Sequence, residues 1–201
     1  MKMTWIIFIV FPLIHQQHID GKEACYEIDT NYNKQSKFPL IYNLGWSEEL
    51  ILNIPKGYRP EPYVVLNQDY IDQHLKTFHN GASFIIVTAI LDKYGRDHIG
   101  TANGLFVVPS SQMDNLLQAA SGSLSIVEKN LGIPQGRWLF KRLSRIDIPY
   151  PQKFNLRMPS GNEAGVNELW KPGGLLPNGM KEAIIDMVPR NEYLEVQLNL
   201  S

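Results

Sequence analysis

Short apolar segments, separated by turn signals and by helical patterns, constrain the fold of this chain more than any other feature. Segments that we interpret as strands occur at 82–90, 105–108, 138–148, 182–188 and 193–198, and the first of them is rich in β-branched residues. Helical periodicity occupies 67–78, where Asn67 is the predicted cap, and also 110–120 and 124–131. The irregular alternation predicts an α+β fold with a mixed or mainly antiparallel sheet and with helices in the N-terminal half of the domain.

The cysteine count and the charge balance argue against three classes: disulfide-stabilised proteins, cysteine-based zinc proteins, and proteins drawn to nucleic acid or lipid by their net charge. Cys25 is the single cysteine, so an intramolecular disulfide is impossible and the domain must hold together by packing. The 19 basic and 20 acidic residues give a net charge of −1, and no field of one sign draws the chain to nucleic acid or to anionic lipid. A zinc site based on cysteine is not expected, because the chain has a single cysteine. We therefore predict no metal.

Changes in residue composition along the chain predict three segments. Residues 1–21 combine a basic start with an apolar run at 5–14, which is typical of a secretory signal peptide and too short to span a bilayer. A buried N-terminal strand is the alternative interpretation of that run. Residues 22–60 are predicted to be an N-terminal extension, and residues 61–201 an α+β domain. The expected location is secreted or extracellular, with no membrane association after removal of the signal.

The densest polar segment spans 157–182 and is rich in glycine and asparagine. Glu163 and Glu182 are the candidate catalytic carboxylates. Asparagine side chains both donate and accept hydrogen bonds, a tryptophan offers a flat face for a ring, and an arginine fork suits phosphate. Loops that combine such groups are often functional, although a surface loop with capping asparagines is the alternative. The candidate substrate-binding residues in this segment are Arg157, Asn162, Asn167, Trp170, Gly173 and Gly174.

Two further candidates for substrate binding lie outside that segment. His79 follows the first helix of the domain and could hydrogen-bond a ribose or act as a base. Arg96 lies in the polar stretch at 92–103, which we predict to be a loop. His74 belongs to the same group of candidates, although a packed histidine is an equal alternative because it neighbours Leu75 on the predicted helix.

Several motifs in this order resemble the C-terminal toxin domains of bacterial polymorphic and contact-dependent toxins. The resemblance covers about 63–190, and its motifs are YIDQHL at 70–75, FHNGAS at 78–83, GLFVVP at 104–109, NLRMPSGNEAGVNELWKPGG at 155–174 and GMKEAI at 179–184. More loosely, the arrangement is similar to the necrotizing-toxin type of NAD glycohydrolase, which is related to the ADP-ribosyltransferases. That family has a glycine-flanked apolar strand, a basic strand and a Pro-Gly-Gly stretch before a late Gln or Glu.

The resemblance implies an activity and roles for particular residues. Glu182 takes the place of the late acidic residue, and Arg157 or Arg96 meets the pyrophosphate of NAD. His74 and His79 are the candidates for an early histidine. The implied protein is a secreted toxin-like effector that hydrolyses NAD or transfers ADP-ribose, with NAD as a substrate and no cofactor. A host target protein and an immunity or inhibitor partner are the implied macromolecular partners.

Two other functions fit the residues and stay open at this point. A metal-independent ribonuclease toxin would use the basic residues Arg137, Lys141, Arg142 and Arg145, although the net charge gives no strong signal for nucleic acid. A secreted binding module without enzymatic activity would use the 157–182 segment as a glycan or protein site.

Overall fold

The structure is a computed structural model, and it describes residues 40–101 and 103–201. The predicted signal peptide and Cys25 lie outside the described residues. Within the described part, the helices are α1 Glu48–Leu52, α2 Pro62–Val65, α3 Gln68–Lys76, α4 Thr88–Tyr94, α5 Ser110–Ala120 and α6 Leu124–Asn130. The strands are β1 Ala82–Val87, β2 His98–Ile99, β3 Leu105–Pro109, β4 Leu143–Ile148, β5 Ala183–Ile185, β6 Val188–Pro189 and β7 Leu194–Leu198.

The main sheet has five strands in the order β5-β3-β1-β4-β7, and all its pairings are antiparallel. A second sheet pairs β2 with β6. Helices and an antiparallel sheet together confirm the predicted α+β class. Since β1 is central and apolar on both faces, it carries side chains into two separate cores.

Three clusters of buried side chains fill the fold. One face of β1 contributes Phe84 to a cluster with Phe78, Ile146 and Ile185, among others. The opposite face packs under α5 and α6, around residues that include Met113 and Val127. A third cluster joins Ile51, Val65, Leu66 and Ile71 to Met158 and Trp170. Much of the segment that we assign to an N-terminal extension therefore packs against the 157–182 segment.

The structure corrects three predicted segments. The strand predicted at 82–90 ends at Val87, and the polar stretch predicted as a loop begins inside helix α4 and then holds strand β2. The chain turns into α4 because the Thr88 amide donates to the oxygen of Arg142, just before β4, and the Thr88 hydroxyl bonds to the Ser144 hydroxyl on β4. Leu91 on α4 is buried. The strand predicted at 182–188 is interrupted after Ile185, and its last residues join the second sheet.

The strand predicted at 138–148 begins only at Leu143. The preceding residues form turns because Glu128 on α6 accepts hydrogen bonds from the amides of Gly136 and Trp138, each at 2.6 Å. A carboxylate that binds two amides of one turn fixes a loop where the sequence pattern alone suggests an extended chain. The Glu128 side chain is buried, so this anchor lies inside the fold rather than on its surface.

Candidate active site

The strands β1 and β3 border a cleft in the described structure. The two strands pair only at Ala82 with Pro109 and at Ser83 with Val108, and they diverge beyond those positions. The resulting interstrand cleft has a volume of about 380 Å³, which suits a small ligand. Most of its walls are apolar, and they include Phe84, Phe106, Met113, Ile133, Trp138 and Leu176.

Glu182 is the acidic side chain in this cleft. Its side chain is partly exposed, and its carboxylate accepts no hydrogen bond from any residue in the described part of the chain. No Lys, Arg or His is among the described residues that line the cleft. Burial raises the pKa of Glu182 from 4.5 to about 8, and the negative charge of Glu163 raises that pKa further. The free protein therefore holds a protonated carboxyl at neutral pH in a largely apolar site.

Helix α3 fixes the backbone at Glu182. The imidazole Nε2 of His74 donates to the main-chain oxygen of Glu182 at 3.0 Å, and the Tyr70 hydroxyl, one helical turn earlier, donates to the oxygen of Gly173 at 2.6 Å. The amide of Glu182 donates to the oxygen of Gly174 at 2.7 Å. Two side chains on one face of a single helix thus hold both ends of the hairpin-like loop that carries the carboxylate.

Glycine at position 174 is required by two features of this loop. Its φ is +64°, a conformation that costs other residues about 1–2 kcal/mol. A Cβ there would lie 2.6 Å from the main-chain oxygen of Glu182, which is too close for any real contact. The predicted Pro-Gly-Gly motif therefore has a definite structural role, since it lets the chain pass directly against Glu182.

A smaller side pocket of about 130 Å³ adjoins the cleft, and Glu182 lines both. Asn167 and Trp170 also line this side pocket, so the structure brings three of the predicted site residues together. The Trp170 ring is 9% exposed and has the Arg59 guanidinium 4.7 Å above its centroid. Because Arg59 covers one face and the third core covers much of the rest, the ring has little free surface on which a ligand could stack.

Two other predicted residues shape the loop instead of facing the cleft. The Glu163 carboxylate accepts hydrogen bonds from the amides of Ser160 and Gly161 and from the Ser160 hydroxyl. Asn162 accepts from the amides of Gly57 and Arg59 and donates to the Arg59 oxygen. Glu163 therefore acts on Glu182 through its charge, and Asn162 fastens the 157–182 segment to the preceding part of the chain.

The remaining predicted residues lie at different places. Arg157 forms an ion pair with Asp186 at 2.7 Å. Its guanidinium also lies beside Gly104, which lines the cleft: Nη2 is 3.4 Å from the position that a Cβ on Gly104 would take. Arg96 is bound to Asp92 and to Glu195 at the far edge of the sheet. His79 is exposed, and its Nδ1 donates to the oxygen of Lys76. Neither Arg96 nor His79 lines the cleft or the side pocket.

The sequence analysis did not single out the apolar walls of the site. Phe106 lies on the predicted strand β3, and Trp138 follows the turn that Glu128 holds. Either residue is an ordinary core position in a single sequence. The signal that could have found Trp138 is the buried glutamate on an otherwise apolar face of α6, because such a carboxylate needs amide partners.

No group of three or more acidic, histidine or cysteine side chains in the described ranges is arranged to hold a metal ion. The helices described here include none that is long and apolar enough to cross a bilayer. In comparisons with known proteins, no family model, no curated protein and no solved structure matches this chain.

Proposed function

We propose that this protein cleaves the N-glycosidic bond of NAD and that Glu182 is its catalytic residue. The observation that carries the proposal is a carboxyl group without a hydrogen-bond partner among the described residues, placed in an otherwise apolar cleft. Perturbed carboxyls in clefts are frequently functional.

The chemistry of the cleft suits a flat ring that carries a positive charge. The nicotinamide of NAD is such a ring, and Phe106 and Trp138 provide apolar walls for it. A cation next to Glu182 favours the ionised carboxylate, so binding of the ring lowers the pKa of Glu182. The positive ring and the ionised carboxylate therefore form an ion pair in a cleft whose described lining has no other charged side chain.

Bond cleavage then moves the positive charge from the ring to the ribose. The C1′–N bond breaks, its electron pair stays on the nicotinamide nitrogen, and the ionised Glu182 stabilises the cationic sugar. Attack of water at C1′ gives ADP-ribose, nicotinamide and a proton. If a side chain of another protein replaces water as the nucleophile, the same site transfers ADP-ribose to that protein.

The other residues of the 157–182 segment support the site in this proposal. Tyr70 and His74 hold Glu182 in place, Asn167 offers an amide in the side pocket, and Arg157 stands beside the cleft. With a signal peptide at 1–21, the proposed protein is a secreted toxin-like effector.

The alternative of a ribonuclease has less support from the geometry. Arg145 is bound to Asp114 and to Asp147, and Arg142 lies 3.4 Å from Asp92. The basic residues that the sequence suggests for RNA, Arg137, Lys141, Arg142 and Arg145, are not among the described residues that line the cleft. The raised pKa of Glu182, to about 8, favours a catalytic site over a binding module, because perturbed carboxyls in clefts are frequently functional.

The direct test is NAD consumption by the purified protein. The expected result is turnover by the wild type and a loss of about 10²–10³-fold in kcat for Glu182→Gln, which keeps the shape but not the charge. Glu61→Gln is the matched control, because Glu61 is exposed and its side chain makes no capping bond. Wild-type activity in Glu182→Gln, or no NAD turnover by the wild type, contradicts the proposal.

A further inference from the structure

The gap between β1 and β3 opens to both faces of the main sheet. If the pairing of Ser83 with Val108 continued, Phe84 would face Val107 and the strands would stay about 4.8 Å apart, but no pair beyond Ser83 forms. The interstrand cleft lies on the face that α5 and α6 cover. A second cavity of about 450 Å³, the far cavity, lies on the face that α4 covers.

The two cavities share part of their walls. Phe84, Ile86, Thr101 and Leu105 line both of them. Because these residues come from the two strands that diverge and from the chain just before β3, they border the gap itself. The cleft and the far cavity are therefore neighbours that share these walls.

The far cavity offers a place for a second flat ring. Ile90 and Leu91 on α4 and Ile99 on β2 make an apolar wall. Tyr94 at the mouth is 73% exposed; the Lys93 ammonium lies 4.9 Å from its ring centroid, which leaves the opposite face for stacking. His98, which is also exposed, supplies ring nitrogens that hydrogen-bond the edge of a heterocycle. These features suit a nucleobase better than a sugar or an acyl chain.

We propose that the far cavity binds the adenine of the same dinucleotide whose nicotinamide lies in the interstrand cleft. This inference rests on the proposed function. The linker between the two rings passes through the gap near Thr101, and the Arg157 guanidinium stands at Gly104, on the cleft side of that passage. The substrate class is thus a dinucleotide, and a mononucleotide fills only half of the site.

The first experiment compares NAD with nicotinamide mononucleotide as substrates. Ile90→Trp fills the far cavity, and we expect it to raise KM for NAD about tenfold or more while KM for the mononucleotide stays unchanged. Tyr94→Ala removes the stacking face at an exposed position, where folding is not at risk, and is expected to raise KM for NAD by a smaller factor. Ile126→Trp is the control, since Ile126 is 41% exposed against 44% for Ile90 and lines none of the three cavities described above.

The second experiment separates this inference from the proposed function, because it needs no turnover. Calorimetric titration with adenosine monophosphate should show binding to the wild type and to Glu182→Gln, and loss of binding in Ile90→Trp. That pattern supports the far cavity even if NAD is not consumed, in which case only the proposed glycosidic activity fails. Turnover of NAD with the same KM in Ile90→Trp and in the wild type overturns the far cavity and leaves the proposed function standing.

Discussion

The imidazole Nε2 of His74 donates a hydrogen bond to the main-chain oxygen of Glu182 across 108 positions of sequence, at a distance of 3.0 Å. His74 is buried between Tyr70 and Phe78, with ring centroids 5.8 and 6.0 Å away. Burial lowers the pKa of His74 to about 4, so the ring is neutral at physiological pH. Its single N–H is therefore on Nε2 and donates to the main-chain oxygen of Glu182. His74 is therefore a positioning residue that acts on the site through the backbone.

Replacement of His74 tests this positioning role. His74→Phe keeps the ring volume but removes the donor, and we expect a loss of about 1–3 kcal/mol in the free energy of unfolding, because a buried carbonyl loses its partner. We also expect kcat to fall about tenfold with little change in KM, measured well below the unfolding temperature. His74→Gln, which can donate again, should restore part of kcat. Gln73→Phe at the exposed neighbouring position is the control, and equal effects of both phenylalanine variants would contradict the role.

The pH dependence of stability should show two opposite contributions. Glu182 has a higher pKa in the folded chain, so the folded state binds more protons, and its contribution to stability is lost as the pH rises from 4.5 to about 8. His74 has a lower folded pKa, so its contribution is lost as the pH falls from 6.5 to about 4. Between pH 4.5 and 6.5 the two slopes oppose each other, and above pH 6.5 only the Glu182 slope is left.

Thermal unfolding from pH 6.5 to 8 isolates that slope. The Tm of the wild type is expected to fall across this interval more than the Tm of Glu182→Gln, which has no proton to lose. Other titrating groups affect both proteins equally and cancel in the difference. A difference in Tm that does not change with pH would show that the Glu182 carboxyl is already ionised in the folded protein.

The pH dependence of activity distinguishes two uses of the same carboxyl. Stabilisation of a cationic sugar needs the ionised form, so kcat/KM for NAD should rise with pH and level off above about 8. In the complex the cationic ring lowers the pKa of Glu182, so kcat should level off at a lower pH than kcat/KM. A rate that falls through pH 8 would contradict this role, because it would show that the protonated form of Glu182 is the active one.

The close approach at Gly174 predicts unequal effects for two glycine substitutions. Gly174→Ala should cost at least about 2 kcal/mol in the free energy of unfolding and should abolish NAD turnover, because the added Cβ displaces the Glu182 backbone. Gly179→Ala has a similar positive φ of +83° but open space around its Cβ position, so we expect a cost of about 1 kcal/mol with activity retained. Circular dichroism melts and turnover rates check both, and inactive Gly179→Ala would indicate that loop conformation matters beyond this contact.

The buried Glu128 should connect stability to the shape of the cleft. Glu128→Gln places an amide NH₂ against an amide donor of Gly136 or Trp138, and we expect a loss of about 1–3 kcal/mol in the free energy of unfolding. Since Trp138 forms a wall of the cleft, KM for NAD should rise as well. An unchanged KM in a destabilised variant would show that Trp138 keeps its place without this anchor. Glu61→Gln is again the exposed control.

The elements that the sequence predicts well are those whose signals are local. The helix α3 begins after Asn67, whose side chain accepts from the amide of Asp69, and its apolar face is periodic. The strand β3 ends at a proline, and α5 carries Met113 and Leu116 at helical spacing. The helix α4 was missed because Thr88 and Ile90 favour strands, and contacts with β4 override that preference.

The site could be predicted only in part for the same physical reason. Glu182 stands out because a carboxylate follows a glycine-rich turn, and this signal lies within one short stretch of sequence. The cleft beside it exists because β1 stops pairing with β3, which no pattern within either strand records. The sequence suggests that Glu163 and Asn162 contact a ligand. In the structure both side chains accept hydrogen bonds from backbone amides of nearby loops, and these partners are set by the tertiary fold.

The register of β1 has a mechanical consequence for the whole molecule. This strand forms a ladder of six residue pairs with β4 but only two with β3, so the five-stranded sheet consists of a three-stranded part and a two-stranded part. The joint between the parts is the short contact of Ala82 and Ser83 with Pro109 and Val108. Because β1 and β3 are held together only at this joint, a substitution at Ser83 should change the separation of the two strands and with it the width of the cleft.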